Sequence, residues 1–314
     1  MLDAVDAWFG FCRDRVPGKG EDSWCHALNE RAGLIGVFDG CGGLGAASYA
    51  VAGGHTGAFL ASRAAAAATL DWFERYCAGG PGDTESLKER VLSALSTCAG
   101  AVRAGAGGVR GSMVRQLPTT AALWRFESGA QGLEAVCGFA GDSRAYLLDA
   151  RGLAQVSADD IASEDAMSNL YHDGAMNNVL SADGRFSIGT AQISLKGPCV
   201  LLCATDGCFG YLKSPMEFEH LLLSTLAASG CVDAWQEKLE RALDEIAGDD
   251  QSLAAVIIGY GSFAALRKAM APRLAALEAM IARFADSYEA RLAAWEQEKP
   301  SYYRLAKGGI PSCG

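Results

Sequence analysis

Two periods of apolar residues divide the chain. Short, nearly unbroken apolar runs at residues 7–12, 33–38, 119–126, 133–140, 144–148, 200–205 and 253–260 are bounded by Gly, Asp or Ser and predict strands. The three runs between 119 and 148 are joined by short polar turns, which predicts an antiparallel meander. Elsewhere the helical period takes over. The alanine-rich stretch 44–77, interrupted at Gly53-Gly54, stops at Gly79-Gly80-Pro81-Gly82, and Asp83 or Thr84 then caps a second helix to about residue 104. Two further helices are predicted over 215–228 and 232–246. Leu266, Met270, Leu274, Leu277, Ile281, Phe284, Tyr288, Leu292 and Trp295 recur with a mean step of about 3.6 residues, a single amphipathic helix that Pro272 kinks or opens and Pro300 ends. Residues 157–190 lack either period and predict an irregular, flap-like insertion over a site.

Composition narrows the function. Lys plus Arg number 27 against 37 for Asp plus Glu, a net charge of −10 that argues against nucleic acid or an anionic membrane as partner. A signal peptide is not expected, since the first residues are acidic, and no apolar run reaches the ~18 residues of a membrane span. The 11 cysteines include no Cys-x-x-Cys pair, and many lie in apolar runs, where a reduced thiol packs as a small hydrophobe. A reduced, cytoplasmic protein is expected. The four histidines fit no zinc spacing.

The chemistry lies in carboxylates. Apolar runs end in Asp-Gly at Asp39-Gly40 and Asp206-Gly207; a third is followed by Gly141-Asp142-Ser143-Arg144, Asp249-Asp250 precedes the last run, and Glu21-Asp22 stands near the first. Any one Asp-Gly reads as an ordinary turn. Several at the ends of buried strands converge when the strands share a sheet, and such a cluster is costly unless cations neutralise it. Oxygen donors without His or Cys select Mg2+ or Mn2+.

In their order along the chain these segments resemble the metal-dependent protein phosphatase 2C family. The match runs over Glu21-Asp22, the Phe-Asp-Gly-x-Gly-Gly turn at 38–43, Thr119-Thr120-Ala121, Gly141-Asp142-Ser143-Arg144, Asp206-Gly207 and Asp249-Asp250-Gln251-Ser252. It covers roughly residues 5–260. The resemblance implies an α+β fold, a four-layer α-β-β-α sandwich of two antiparallel sheets flanked by helix pairs, with a catalytic domain over 1–262 and the amphipathic helix and tail over 263–314 as an extension. It also implies two Mn2+ or Mg2+ ions bridged by Asp39, with the Gly40 carbonyl on one and Asp206 and Asp249 on the other. Glu21 would serve the second metal, with Asp22 behind it, and Asp142 would help hold a third, weaker ion. Water bridging the ions would attack the phosphorus of a phosphoserine or phosphothreonine in a protein.

The sequence departs from the pattern in places. Cys41 occupies the position of a His that animal members carry as proton donor; it could also make activity sensitive to oxidation. No Arg stands at the family's phosphate-binding position, which leaves Arg13 or Arg15 as candidates. Asp160 replaces a common His. The alternative to an active enzyme is a pseudophosphatase acting as a binding module through the C-terminal helix, which would receive a cognate kinase or a second copy of the chain unless it docks on its own domain. A nucleotide-binding reading of the glycine-rich turn at 40–45 fails for want of a P-loop Lys.

Overall fold

The computed structural model describes residues 2–104, 116–129, 132–161, 165–171, 176–284 and 287–306. In chain order these form β1 (Val5–Arg13), β2 (Ser23–Leu28), β3 (Ala32–Phe38), α1 (Gly42–Gly45), α2 (Gly57–Cys77), α3 (Thr84–Ala104), β4 (Ala121–Gly129), β5 (Gly132–Ala140), β6 (Arg144–Asp149), β7 (Gly152–Gln155), β8 (Gly189–Leu195), β9 (Cys199–Ala204), α4 (Pro215–Ala227), α5 (Val232–Asp244), β10 (Gln251–Ile258), α6 (Phe263–Phe284) and α7 (Tyr288–Tyr302). Short 3-10 turns lie at Ala50–Ala52, Ser168–Leu170 and Asp206–Cys208.

The strands make two five-stranded antiparallel sheets, ordered β1-β10-β9-β6-β7 and β2-β3-β4-β5-β8. Alternation along each strand builds three cores. In β10, Ala254, Val256 and Ile258 face the opposite sheet, where Ile35, Val37 and Trp124 meet them. Leu253, Ala255 and Ile257 face outward into a core shared with α4, α5, α6 and α7. On the other side Leu34 and Phe38 pack under α2 and α3. Burial on both faces is why these strands read as continuous apolar runs. The four-layer α-β-β-α sandwich is thus present.

Three strands escape the hydrophobic pattern. β2, with the sequence Ser-Trp-Cys-His-Ala-Leu, is an edge strand and mostly half-buried, and β8 is the other edge of its sheet. β7 has four residues, too few to show a period. The predicted helix over 44–77 begins properly at Gly57, where Thr56 Oγ1 accepts the Phe59 N–H at 3.1 Å. Part of the predicted insertion, 162–164 and 172–175, lies outside the described residues; the rest holds one 3-10 turn and a bridge from Leu180 to Thr119.

The single C-terminal helix is corrected to two. Ser287 Oγ accepts the Ala290 N–H at 3.2 Å and starts α7, and apolar residues of both helices enter the same core. Pro272 lies inside α6 and Pro300 inside α7 rather than ending it; both residues are exposed. The stripe is not an open face, because Leu266, Met270, Leu277, Phe284, Trp295, Tyr302 and Tyr303 are buried in the core of the first sheet. Only Tyr288 and Leu292 of it are exposed. Trp295→Ala is therefore expected to cost about 3–5 kcal/mol in denaturant unfolding, whereas a change under ~1 kcal/mol would mean that α7 is not docked. Among the described residues no helix is long and apolar enough to cross a membrane.

Candidate functional site

Antiparallel register gathers the acidic turns. Ala204 at the end of β9 pairs with Leu253 near the start of β10 and with Arg144 at the start of β6. In the other sheet Phe38 at the end of β3 pairs with Ser23, and Ala140 with Ala121. Glu21-Asp22, Asp39, Asp142, Asp206 and Asp249-Asp250 consequently leave strands at one end of the sandwich. Thr205 ties the two sheets there: its Oγ1 donates to Asp22 at 2.8 Å and accepts the Ser252 N–H at 2.9 Å.

Close approach of these turns requires glycine. A Cβ on Gly207 would lie 1.8 Å from the Asp250 carbonyl oxygen, and one on Gly40 would lie 2.6 Å from the Ala58 oxygen and 2.7 Å from that of Glu21. Gly43 of the same turn has open space instead. Gly207→Ala should thus lower stability by about 1–3 kcal/mol or more in denaturant melts, with Gly43→Ala near neutral; equal effects would show that packing at the acidic end is slack.

Backbone contacts fix the remaining groups. Thr119 Oγ1 and the Thr120 N–H both donate to the Asp39 carbonyl, at 2.7 and 2.8 Å, and Thr120 Oγ1 meets Ser143 Oγ at 2.6 Å. The Thr-Thr pair therefore couples the Asp39 turn to the Asp142 turn. Asp160 accepts the Gly141 N–H at 3.0 Å and so buttresses that same turn. Asp250 receives the Arg15 and Glu21 N–H groups, each at 2.7 Å, and so braces the N-terminal loop against β10. Thr56 Oγ1 donates to the Glu21 carboxylate.

The electrostatics are those of crowded like charges. Burial first, then Asp22, Asp206, Asp142 and Asp249, push the Asp39 carboxyl well above the usual range. Burial and Asp249 raise Asp206, and the neighbouring Asp39 side chain opposes part of that rise. Carboxylates crowded in this way are relieved by a proton or a cation. Burial, then Asp206 and Asp159, lift Asp142 to about 7, and its Oδ1 is buried without a hydrogen-bond partner. Glu21, Asp22 and Asp249 are raised as well, chiefly by burial. Among the described residues no three His, Cys, Asp or Glu side chains close around one point. The donor set nevertheless fits a hard divalent ion: all oxygen, one atom buried and unpartnered, and crowded carboxylates whose repulsion a cation would relieve.

The other expected residues separate. Cys41 sits beside this cluster, and burial followed by Asp39, Asp142 and Asp206 pushes its thiol far up. Arg13 is engaged elsewhere, its guanidinium paired with Glu240 at 3.3 Å and Asp244 at 2.8 Å on α5. Arg15 has an exposed side chain on a backbone held beside Glu21 by Asp250. Arg63 of α2, which the sequence pattern does not single out, donates to the Gly20 and Glu21 carbonyls at 3.2 and 3.4 Å. Nothing in its helical spacing marks it.

A pocket of about 230 Å³ opens beside the acids, lined by Asp142, Arg144, Asn169, Leu170, Asp206 and Tyr211 among others. Buried Arg144 forms its floor with Asp159, at 2.6 Å. Asn169 Nδ2 donates to the same Asp159 at 2.9 Å, which joins the insertion to the pocket.

No family model matches the chain, and no curated protein matches its sequence. Solved structures do share its fold. The serine/threonine phosphatase PstP/Ppp of Mycobacterium tuberculosis superposes with a TM-score of 0.56 at 18% identity, over 81% of this chain and 98% of that one. The serine/threonine phosphatase Stp1 of Staphylococcus aureus gives 0.58 at 19% identity, over 81% and 95%. A sex-determining protein of C. elegans gives 0.58 at 14%, over 85% and 67%. The fold is the one found in PPM-type serine/threonine phosphatases.

Proposed function

We propose that this chain is a metal-dependent serine/threonine protein phosphatase, acting on phosphoserine or phosphothreonine in a protein substrate. The observation that carries the reading is that the acidic turns of both sheets, Asp39 and Asp142 from one and Asp206 and Asp249 from the other, converge at one end of the sandwich around a buried Asp142 Oδ1 with no hydrogen-bond partner. The likeness of the fold to PPM-type phosphatases supports it. Asp39, Asp206 and Asp249, with the Gly40 carbonyl and Glu21, would hold two Mn2+ or Mg2+ ions, and Asp142 would help to hold a third. Such ions, when bound, neutralise phosphoryl oxygens and acidify water.

The chain's own groups orient and protonate. Thr119 and Thr120 fix Asp39, while Thr205 holds Asp22 behind it. Cys41 keeps its proton at Sγ, available to a leaving oxygen and, as a thiol, a slow target for oxidants. Arg15 is better placed than Arg13 to meet a phosphate. The binding-module alternative loses its motive, since the C-terminal stripe is covered by its own domain. Turnover of p-nitrophenyl phosphate and of a phosphothreonine peptide with Mn2+, lost on adding EDTA, is the expected result. No turnover with Mn2+, or turnover indifferent to EDTA, would overturn the reading.

A further inference from the structure

One face of α7 is built unlike a core helix. Arg291, Trp295, Lys299 and Tyr303 succeed one another at intervals of four and are all buried, although two are cations. A buried charge persists only with a partner. Arg291 has Glu217 at 3.4 Å, at the start of α4. Lys299 Nζ has Asp165 Oδ2 at 2.6 Å, and Trp295 Nε1 donates to the same oxygen at 3.2 Å. Tyr303 adds a bond from the Ala166 N–H to its hydroxyl at 2.7 Å.

Asp165 faces two ways. While Oδ2 is held by α7, Oδ1 accepts the Ser168 N–H at 2.9 Å and its carbonyl accepts the Asn169 N–H at 3.0 Å. Those bonds start the turn that carries Asn169 and Leu170 into the pocket. Asn169 then reaches Asp159, the partner of Arg144. A continuous line of polar contacts therefore runs from the C-terminal helix to the wall of the cleft beside Asp142 and Asp206.

We infer that Lys299 and Trp295 are positioning residues: through Asp165 they set the outer wall of the cleft at Asn169 and Leu170, and so govern how the residues flanking a phosphoamino acid are accepted. This rests on the phosphatase reading for its substrate. The turns of Asp39 and Asp206 are held by bonds of their own, from Thr119 and Thr120 and from Phe209 and Gly210, so a small phosphate ester should be indifferent to the wall while a peptide is not.

The test uses the full chain with Mn2+ and the variant Lys299→Met. The KM for a phosphothreonine peptide is expected to rise about five-fold or more, with kcat/KM for p-nitrophenyl phosphate unchanged within about two-fold. Amide exchange over residues 165–171 should accelerate by about ten-fold or more, with that of β9 unaltered. Trp295→Phe, which removes the indole N–H from Asp165 together with part of the buried ring, should show the same pattern in weaker form and replaces Lys299→Met if that variant does not fold. Equal losses on both substrates with faster exchange throughout, or no change at 165–171, would overturn the inference. If the unsubstituted protein hydrolyses neither ester, the phosphatase reading fails, and the exchange pattern still decides whether α7 holds the wall.

Discussion

Asp206→Asn is expected to lower Mn2+-dependent hydrolysis of p-nitrophenyl phosphate by about 100-fold or more, since even residues behind a metal ligand are worth 10–100-fold. The turn itself should survive. Its shape is held by the Phe209 and Gly210 N–H groups donating to the Asp206 backbone carbonyl at 2.9 and 2.6 Å, neither of which involves the carboxylate. The substitution also removes one charge from a cluster in which Asp39, Asp142 and Asp22 all feel Asp206. Without metal the variant should therefore melt higher than the unsubstituted protein, while with saturating Mn2+ the order reverses. Activity lost together with lowered metal-free stability would instead indicate damage to the fold.

Metal-free protein is expected to lose stability as pH rises from about 4 to 7, and Mn2+ to restore it at the upper end. The carboxyls of Asp39, Asp206, Asp249, Glu21 and Asp22 are all raised by burial and neighbouring carboxylates, and Asp142 reaches about 7. Between the unfolded value of about 3.9 and these higher values the folded chain binds more protons, so its stability falls with rising pH. At about 1.4 kcal/mol per unit, Asp142 alone accounts for a loss of up to about 4 kcal/mol across that window. Asp149 and Asp165 go the other way, drawn down by Arg151 and Lys299 against the opposing effect of burial, and act below it. Mn2+ at 100 times its dissociation constant should return about 2.7 kcal/mol at pH 7.5. Thermal melts between pH 5 and 8, with EDTA or with Mn2+, read both effects; a metal-free curve that is flat or rises with pH would contradict them.

Much of the acidic end was legible because its residues follow strands that are buried on both faces. An apolar run that stops at Asp-Gly announces both the strand and the turn, and this holds for Asp39 and Asp206. Edge strands announce less, and β2 has only one of its six residues buried. Partners remote in sequence were not legible at all. In sequence Asp250 is one half of an acidic pair, and only the fold shows that it braces Glu21. Lys299 lies past the last residue of the apolar stripe, and its partner Asp165 lies in a segment with no period. Arg13 looked free for phosphate, whereas α5 brings Glu240 and Asp244 to it. In each case the missing information is which distant carboxylate the fold delivers.

The most direct measurement is anomalous diffraction at the manganese edge from crystals grown with Mn2+. A peak shared by the Asp39 and Asp206 carboxylates, with a second near it toward Asp249 or Glu21, is the expected result. Ordered Asp39 and Asp206 side chains with no peak between them would contradict the account.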